Sequence, residues 1–441
     1  MKRRIITYFQ NWIQSPLRMP LILRGARQVG KTWAVREFAR QENLELVEIN
    51  FELHPKTKEA FSNLEPEKIL KALTFHGHPM VKAGSFLLFL DEIQECPQAI
   101  KALRYFKELM PELAVIATGS LMEFSLMKEK ISWPVGRVEF AWLYPMSLSE
   151  FIEARGNPAL AEILGHDPFE DKALSASIHA VALEELREYL FCGGMPAAVH
   201  ALIATKDPAE VRKVHDAILF TYRGDFHKYA PRIDADLAEK LFMNAPTLVG
   251  SRFKYSHIDP DRRAAEIKPA VGALEKAGII RLVLHTSAQA APLAAHTNPR
   301  IAKLLFLDVG LMHAGLRIDR EIVQSPELLG IHRGAVAEQF VGQELLATTT
   351  PYNEPGLWFW NREALNSQAE VDFVIAPKAT LIPIEVKSGA SGRLKSLRSF
   401  LDSHPNSDIG YRLYEGRMEK GADGIVHLPL YFAGLLPHLK A

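Results

Sequence analysis

The stretch from Leu21 to Trp33, LILRGARQVGKTW, constrains this chain more than any other. A short apolar strand pattern runs into GARQVGKT, and the segment TWAVREFAR that overlaps its end has the spacing of a helix. The pattern GxxxxGKT between a strand and a helix is typical of a phosphate-binding P-loop, whose backbone N–H groups face the phosphates. The alternative interpretation is a glycine-rich turn before a helix.

This loop predicts a nucleotide site with ATP and Mg²⁺ as its ligands. Lys31 is expected to reach the β- and γ-phosphates, and the Thr32 hydroxyl is expected to hold Mg²⁺. The predicted nucleotide-binding residues of the stretch are Gly25, Ala26, Arg27, Gln28, Val29, Gly30, Lys31, Thr32 and Trp33.

Two further strand patterns follow, LELVEIN before position 51 and SFLLFLD at 85–91. The second is almost entirely apolar, which is typical of a strand buried on both faces of a parallel sheet. It ends in Asp91 and Glu92. After a P-loop, Asp91 is predicted to organise Mg²⁺ and Glu92 to polarise the attacking water as a catalytic base. The alternative is a strand that ends in acidic surface residues.

The next strand pattern, LAVIAT, ends in Thr118-Gly119-Ser120. Thr118 and Ser120 are candidate sensors of the γ-phosphate, and the competing interpretation is a helix N-cap. Farther on, Arg137 is a candidate catalytic residue that stabilises transition-state charge at the site of a neighbouring subunit, which predicts a homo-oligomer. A salt-bridged surface arginine is the alternative.

Charge and cysteine content set outer limits on partners. The formal net charge of 0 gives no overall attraction to nucleic acid or to anionic membranes, so such a contact requires a local patch. Cys96 and Cys192 are far apart and lack metal-site spacing, which fits a reducing compartment. We find neither a signal-peptide pattern nor an apolar run of about 18 residues, so we expect a cytoplasmic chain without a membrane partner.

The chain resembles a known family through the runs LILRGARQVGKT, LLFLDEIQECP, ATGSL and PVGRVEFAWLYPMSLSEF. They are similar to the AAA+-type ATP-binding proteins with a C-terminal DUF4143 domain, and YLFCGGMPAAV, KLLFLDVGL, AEVDF and PIEVKSG extend the resemblance. It implies an α/β fold in four parts. They are an AAA+ P-loop core (1–150), a helical lid (151–232), a winged-helix-like segment (233–315) and a restriction-endonuclease-like α/β domain (316–441).

In the lid, the turn GGMP resembles a family motif in which Gly193 and Gly194 approach the nucleotide and Pro196 lies against the adenine. From spacing alone the turn is only a helix breaker. The segment that follows has two helical patterns and then the strand IIRLVLH. We place Pro269 in a first helical turn and Gly278 at a C-terminal cap. This outline favours a winged helix, which either contacts DNA or serves as a packing module.

A second candidate site lies near the C-terminus. Glu385 and Lys387 are two apart on a predicted strand and therefore share a face, and Asp372 lies a hairpin away. This pattern resembles the PD-(D/E)xK nucleases, with Val371 in place of the leading proline. It predicts a second Mg²⁺ or Mn²⁺ held by Glu338, Asp372 and Glu385, with Lys387 as a catalytic residue. A salt-pair cluster is the alternative.

The predicted function is Mg²⁺-dependent ATP hydrolysis coupled to a C-terminal domain that acts on DNA or RNA, with nuclease activity as one form of that action. The alternative is an ATP-dependent switch or scaffold whose C-terminal domain binds a partner without cleavage.

Overall fold

The structure is a computed structural model of the 441-residue chain, and it divides into two compact units. The N-terminal unit comprises Lys2–Tyr144 and Thr350–Glu354, and the C-terminal unit comprises Met1, Pro145–Thr349 and Pro355–Ala441. The structure describes all residues except 82–83, 120–133, 135, 170–173, 227–233, 325–332, 355, 363–368, 388–393, 422 and 440–441.

A five-stranded sheet forms the centre of the N-terminal unit. Its strands are β1 (Leu21–Arg24), β2 (Glu45–Asn50), β3 (Phe86–Asp91), β4 (Ala114–Thr118) and β5 (Glu139–Trp142). Their spatial order is β2-β3-β4-β1-β5, and every described pairing among them is parallel. All six residues of β3 are buried, so the predicted parallel sheet with a doubly buried strand is confirmed.

Helices and short 3₁₀ segments cover this sheet. The helices are α1 (Arg4–Gln14), α2 (Lys31–Gln41), α3 (Pro66–Phe75) and α4 (Pro97–Leu109). Both α3 and α4 begin with proline, whose fixed φ and missing N–H suit the first helical position. The side chains of Phe61 and Phe106 are almost completely buried in the core of the unit, and each such burial contributes about 1.5–3 kcal/mol.

The segment Thr350–Glu354 belongs to the N-terminal unit although it follows most of the chain. The Trp142 N–H on the edge strand β5 donates to the Pro351 carbonyl oxygen at 2.8 Å. The Tyr352 ring lies 6.1 Å from that of Tyr8. The segment thereby satisfies part of the sheet edge, which would otherwise be open to pairing with another strand.

The C-terminal unit is helical at first. Its helices are α5 (Leu148–Ala154), α6 (Pro158–Ile163), α7 (Ala176–Cys192), α8 (Pro196–Thr205), α9 (Pro208–Phe226), α10 (Ala235–Leu248), α11 (Ala264–Lys276), α12 (Val309–Gly315), α13 (Arg320–Gln324), α14 (Arg333–Thr348) and α15 (Lys395–Ser403). The first begins with a capping box, in which the Ser147 and Glu150 side chains accept each other's backbone N–H.

An eight-stranded mixed sheet completes this unit. Its strands are β6 (Ile280–Thr286), β7 (Thr297–Phe306), β8 (Leu357–Asn361), β9 (Glu370–Ile375), β10 (Ile382–Val386), β11 (Gly410–Tyr414), β12 (Glu419–Lys420) and β13 (Ile425–Pro429). Their order is β12-β13-β11-β10-β9-β8-β6-β7. Leu397 and Phe400 of α15 share an apolar core with Val371 and Val374 of β9. At Gly342 of α14, an added Cβ would lie 2.3 Å from Leu305 of β7, so α14 packs closely on the sheet.

The middle segment shows the predicted sequence of two helices and a hairpin, formed by α10, α11, β6 and β7. Gly278, predicted at a C-terminal cap, directly follows the cap residue Ala277 of α11 and has a left-handed φ of 72°. Pro269, however, lies inside α11 and not in its first turn, because the helix already begins at Ala264. The hairpin is not confined to the segment, since β6 also pairs in parallel with β8. The winged helix and its boundaries stay predictions.

Among the described residues, every helix is too short or too polar to cross a membrane.

Candidate functional site

Glycines shape the loop between β1 and α2. Gly25 has φ of 150°, and a Cβ at this position would lie 2.2 Å from the Leu143 carbonyl oxygen. Gly30 adopts the left-handed region, with φ of 94°, immediately before α2 begins at Lys31. A side chain at either position would be strained, so the glycine spacing of the sequence corresponds to a real backbone requirement.

The Lys31 side chain lies inside this loop. Its Nζ donates to the carbonyl oxygens of Gly25 and Ala26 at 2.9 and 2.8 Å. Burial lowers the pKa of Lys31 to about 8, although the nearby carboxylates of Glu92 and Asp91 oppose the shift. The ammonium is therefore bonded to loop carbonyl oxygens, which a phosphate would replace more favourably.

Asp91, at the end of β3, is the centre of the site. Its Oδ2 accepts from the Thr32 hydroxyl and from the Asn50 amide, both at 3.1 Å. Its Oδ1 accepts from the Thr118 hydroxyl and from the Glu92 backbone N–H. Asp91 is only 5% exposed, so the structure brings a buried carboxylate together with the hydroxyl that the sequence assigned to Mg²⁺.

Thr118 and Asn50, at the ends of the two strands that flank β3, both donate to Asp91. Thr118 lies at the tip of β4 and donates directly to Asp91, while the helix N-cap alternative falls on residues outside the described ones. Asn50 was not predicted. Its signal was its place as the last residue of β2, whose register pairs it with Asp91 on the neighbouring strand.

Glu92 directly follows the buried carboxylate and has a left-handed backbone, with φ of 51° and ψ of 47°. Such a conformation costs about 1–3 kcal/mol for a residue with a side chain and is concentrated at functional sites. Its Oε2 accepts from the Gln94 side-chain amide at 2.6 Å. Glu92 is thereby placed beside Asp91 with a fixed carboxylate.

Arg137 forms a surface ion pair within the single chain. Its Nε lies 2.9 Å from Oε1 of Glu108, and Nε of Arg104 lies 3.0 Å from the same oxygen. These two guanidinium groups, Arg137 first, lower the pKa of Glu108. The structure thus contains the surface ion pair that was the alternative, and action on a neighbouring subunit stays a prediction.

The other predicted residues of this site are accounted for in turn. Ala26 and Val29 are buried, Arg27 is half-buried and Gln28 is exposed with φ of 63°. Trp33 is 39% exposed in the first turn of α2. Ser120 lies outside the described residues.

The predicted lid turn is held by a buried polar network of the C-terminal unit. The Gly194 N–H donates to Oδ2 of Asp308 at 2.7 Å, and the Gln343 amide donates to the same oxygen at 3.0 Å. A Cβ on Gly193 would lie 2.0 Å from Asp308, and one on Gly194 would lie 2.1 Å from the Met146 carbonyl oxygen. These close contacts leave no room for a side chain at either position, so packing alone accounts for both glycines. A nucleotide role for Gly193, Gly194 and Pro196 stays a prediction.

The second candidate site is a group of charged side chains, the C-terminal charge cluster, which consists of Lys303, Glu338, Glu370, Asp372, Glu385 and Lys387. Nζ of Lys303, on β7, lies 3.1 Å from Glu338, 2.7 Å from Glu370 and 3.2 Å from Asp372. Nζ of Lys387 lies 2.5 Å from Oε1 of Glu385. The predicted carboxylates are therefore close together, with an unpredicted buried lysine among them.

A β-bulge orients part of this cluster. Trp358 of β8 pairs with Val374 of β9, and Trp360 pairs with Val371. The two tryptophans are two residues apart in the sequence, whereas the two valines are three residues apart. The extra residue falls at Asp372-Phe373, and bulges of this kind re-aim side chains beside functional sites. Oδ2 of Asp372 also accepts the Val386 N–H of β10 at 2.8 Å. The hairpin distance predicted between Asp372 and Glu385 is confirmed by the pairing of β9 with β10.

Burial and mutual repulsion dominate the titration of these carboxyl groups. Burial, followed by the charge of Asp372, raises the pKa of Glu338 to about 8 and that of Glu385 to about 7. Burial lowers the pKa of Lys303, but Asp372, Glu338 and Glu370 outweigh it and the net shift is upward. The cluster therefore favours the charged form of Lys303 and the protonated forms of Glu338 and Glu385.

The same geometry bears on the predicted second metal. Within the described residues, no group of three or more His, Cys, Asp or Glu side chains is arranged to hold a metal ion. Lysines contact Glu338, Asp372 and Glu385 instead. Oε2 of Glu385 is buried without a hydrogen-bond partner among the described residues, which leaves one oxygen available to a ligand. The metal site stays a prediction.

Family models match three parts of the chain. Residues 17–152 match the AAA domain, residues 183–321 match a domain of unknown function (DUF8612), and residues 333–432 match another (DUF4143). The chain therefore carries an AAA domain and a DUF4143 domain, as the resemblance implied. None of the curated proteins matches the chain.

Among solved structures the chain is similar to the Aeropyrum pernix ORC1 protein in complex with DNA, with 11% identity and a TM-score of 0.26, over 71% of this chain and 90% of that one. It is similar to the Thermotoga maritima RuvB Holliday junction branch migration motor, with 13% identity and a TM-score of 0.29, over 63% and 87%. It also covers 46% of a Pyrococcus horikoshii STAND protein, with 14% identity and a TM-score of 0.27 over 80% of this chain. Because these scores are low, the fold class rests on the strand order and the AAA domain match.

Proposed function

We propose that this chain, which carries an AAA domain at residues 17–152, binds and hydrolyses ATP at the loop between β1 and α2. The observation that carries the proposal is the convergence on Asp91 of three side chains from three other elements, Thr32, Asn50 and Thr118. Neutral donors surround a buried carboxylate there, and Lys31 lies nearby in the loop. This is the environment that a triphosphate and its cation require.

The residues present fit a magnesium ion. The Thr32 hydroxyl and the Asp91 carboxylate are oxygen donors already within hydrogen-bond distance of each other, and oxygen is the donor that Mg²⁺ prefers. Thr32 and Asp91 would hold the ion, which neutralises phosphate charge when bound. Lys31 exchanges its bonds to the Gly25 and Ala26 carbonyl oxygens for phosphate oxygens.

Glu92 is the proposed base. Its carboxylate accepts the proton of the attacking water, while four hydrogen-bond donors hold the Asp91 carboxylate in place. Release of the Gln94 amide from Glu92 on nucleotide binding would free the carboxylate for this role.

Phosphate release by the purified full-length chain, with and without EDTA, tests this proposal. We expect hydrolysis that requires Mg²⁺ and that is lost in Asp91→Asn, because an amide holds the cation weakly. Glu95→Gln, an exposed carboxylate four residues after Asp91, is the matched control and should keep full activity. Hydrolysis that survives Asp91→Asn would contradict the assignment.

We further propose that the C-terminal unit acts on DNA or RNA, with Asp372, Glu385 and Lys387 supplying metal-dependent cleavage. The unpartnered Oε2 of Glu385 and the short Glu385–Lys387 distance support this proposal. The alternative is partner binding without cleavage, and the Lys303 ammonium among three carboxylates favours it, because a lysine there supplies the charge that a metal would otherwise supply.

Two measurements separate these candidates. Thermal unfolding with added Mn²⁺ reports metal binding, since a ligand of the folded state raises the unfolding midpoint, and Asp372→Ala should remove the rise. Nicking of plasmid DNA and of RNA reports cleavage, and Lys387→Ala should abolish it while leaving the Mn²⁺ shift. If the wild-type chain shows neither a rise in the unfolding midpoint with Mn²⁺ nor cleavage, partner binding without cleavage is the remaining function.

A further inference from the structure

A separate pocket opens beside Trp360 of β8. It encloses about 330 Å³ between the ends of β6, β8 and α15 and the start of β10. None of the residues of the nucleotide loop or of the C-terminal charge cluster lines it. Its volume is at the lower end of the range for small-molecule sites, about 300–1,000 Å³, so it suits one compact ligand.

Aromatic side chains make one wall of this pocket rigid. The His404 ring stacks on Phe400 with centroids 4.0 Å apart and planes 12° apart, and Trp360 stands nearly perpendicular to it at 5.7 Å. The two His404 ring nitrogens lie 2.8 and 3.0 Å from the carbonyl oxygens of Phe400 and Ser287. A wall fixed in this way needs no rearrangement before a planar ligand lies against it.

The polar lining is rich in amides. Gln289, Asn361 and Asn406 each present a donor and an acceptor, and Ser287 and Ser403 add hydroxyl groups. Oδ1 of Asn361 is buried and has no hydrogen-bond partner among the described residues. Because a buried amide oxygen without a donor is destabilising, a ligand donor that reaches Asn361 would bind there favourably.

The described lining of the pocket carries a positive charge at its rim. Arg362 is exposed at its rim, directly after β8, and the described lining contains no carboxylate. The Arg362 N–H donates to the Ala369 carbonyl oxygen at 3.0 Å, which extends the pairing of β8 with β9 and fixes the backbone at the rim. The pocket therefore favours an anionic group at its mouth and a neutral, hydrogen-bonding group inside.

We propose that this pocket binds a single nucleotide unit, with the base beside Trp360 and His404 and the phosphate at Arg362. Amide side chains match the alternating donors and acceptors of base edges, and aromatic walls suit the planar ring. The unit is either a free nucleoside monophosphate or an unpaired nucleotide of a strand, since the two share this chemistry. The site is distinct from the proposed ATP site and does not depend on it.

Calorimetric titration of the full-length Lys31→Ala chain with the four nucleoside monophosphates tests the proposal, because this variant weakens the ATP site. We expect one saturable site per chain. Ser403→Phe, at an exposed position of the lining, should weaken binding at least about tenfold by filling the pocket, as loss of several hydrogen bonds predicts. Asp402→Phe, its exposed neighbour outside the lining, is the control and should bind normally.

Arg362→Gln tests the orientation of the ligand. It should weaken binding of a nucleoside monophosphate about tenfold, as loss of a charged hydrogen bond predicts, and leave binding of the parent nucleoside unchanged. Arg300→Gln, an exposed arginine on β7, is the matched control. Competition by a single-stranded hexanucleotide identifies the strand as the source, and competition by free nucleotide alone identifies the monophosphate. The proposal would be overturned if the Lys31→Ala chain binds no nucleoside monophosphate. It would also be overturned if adding Ser403→Phe changes neither the binding nor the unfolding midpoint.

Discussion

Asp91 and Asp372 are both buried carboxylates on sheet strands, but their neighbours differ in charge. Asp91 accepts hydrogen bonds from two hydroxyls, an amide and a backbone N–H, all of them neutral. Asp372 lies 3.2 Å from the buried ammonium of Lys303, which two more carboxylates share. Neutral donors orient a carboxylate and leave its charge available to an incoming cation, whereas a resident lysine neutralises that charge within the fold.

The largest effect is expected from Lys303→Met, which removes the resident cation. Loss of one partner of a buried ion pair costs about 3–5 kcal/mol, because the remaining charges stay buried. Chemical denaturation should show this loss in the free energy of unfolding. Lys387→Met, a lysine that is about one-third exposed, should cost much less. Adding Asp372→Asn to Lys303→Met should restore part of the stability, and a single variant as stable as the parent chain would refute the comparison.

Next in size is the effect of Lys31→Ala on ATP hydrolysis. Removing a group that stabilises developing phosphate charge lowers turnover by about two to three orders of magnitude. The unfolding midpoint should change little, because the hydrogen bonds of the Lys31 ammonium to the described part of the chain go to loop carbonyl oxygens. Phosphate release beside thermal unfolding measures both quantities. Arg40→Ala, an exposed cation at the end of α2, is the control. Normal turnover in Lys31→Ala would exclude this loop as the nucleotide site.

Glu92→Gln should lower turnover about a hundredfold while nucleotide stays bound, because a base is lost and the neutral donors around Asp91 remain. Retention of labelled ATP on a filter, measured beside phosphate release, separates the two effects. If Gln94→Ala raises turnover, the hydrogen bond between Gln94 and Glu92 holds the base inactive. A fast Glu92→Gln variant would assign the base to another residue.

A smaller effect concerns pH. Glu338 and Glu385 have folded-state pKa values of about 8 and about 7, above their ordinary value of 4.5. Between the ordinary pKa of 4.5 and the raised values, the folded chain therefore binds more protons than the unfolded chain. The free energy of unfolding consequently falls as pH rises through this range. His215, with its pKa lowered to about 4 by burial, has the opposite effect below pH 6.5. The decline should therefore be clearest between pH 6.5 and pH 8, and Glu338→Gln should flatten it in thermal unfolding.

The smallest expected effect is that of Arg137→Ala. Its pair with Glu108 is exposed, so the unfolding midpoint should change little. Turnover should fall about tenfold only if Arg137 reaches a neighbouring site in an oligomer. Arg104→Ala removes the other partner of Glu108 and is the matched control. Concentration-dependent turnover in the parent chain, lost in Arg137→Ala alone, would support action on the neighbour, and equal turnover in both variants would exclude it.

Local sequence patterns predicted much of the fold. The strand that precedes the loop, the glycines, the start of α2 and the acidic end of β3 are encoded within a few residues of one another, where backbone sterics and burial act directly. The AAA and DUF4143 domains followed from the same runs. Pro269 is the instructive failure, because the pattern located the helix but not its start, and the proline lies at an exposed position inside it.

The tertiary structure decided what lies against these local elements. Asn50 contacts Asp91 because β2 pairs with β3, and no pattern around Asn50 specifies that register. Lys303 meets Glu338 and Asp372 because β7, α14 and β9 pack together, although the three residues are separated by dozens of positions. Sequence spacing specifies chemistry within one element, since dihedral angles are local. Whether a buried carboxylate receives a neutral donor or a lysine depends on long-range packing, and that difference separates the two candidate sites of this chain.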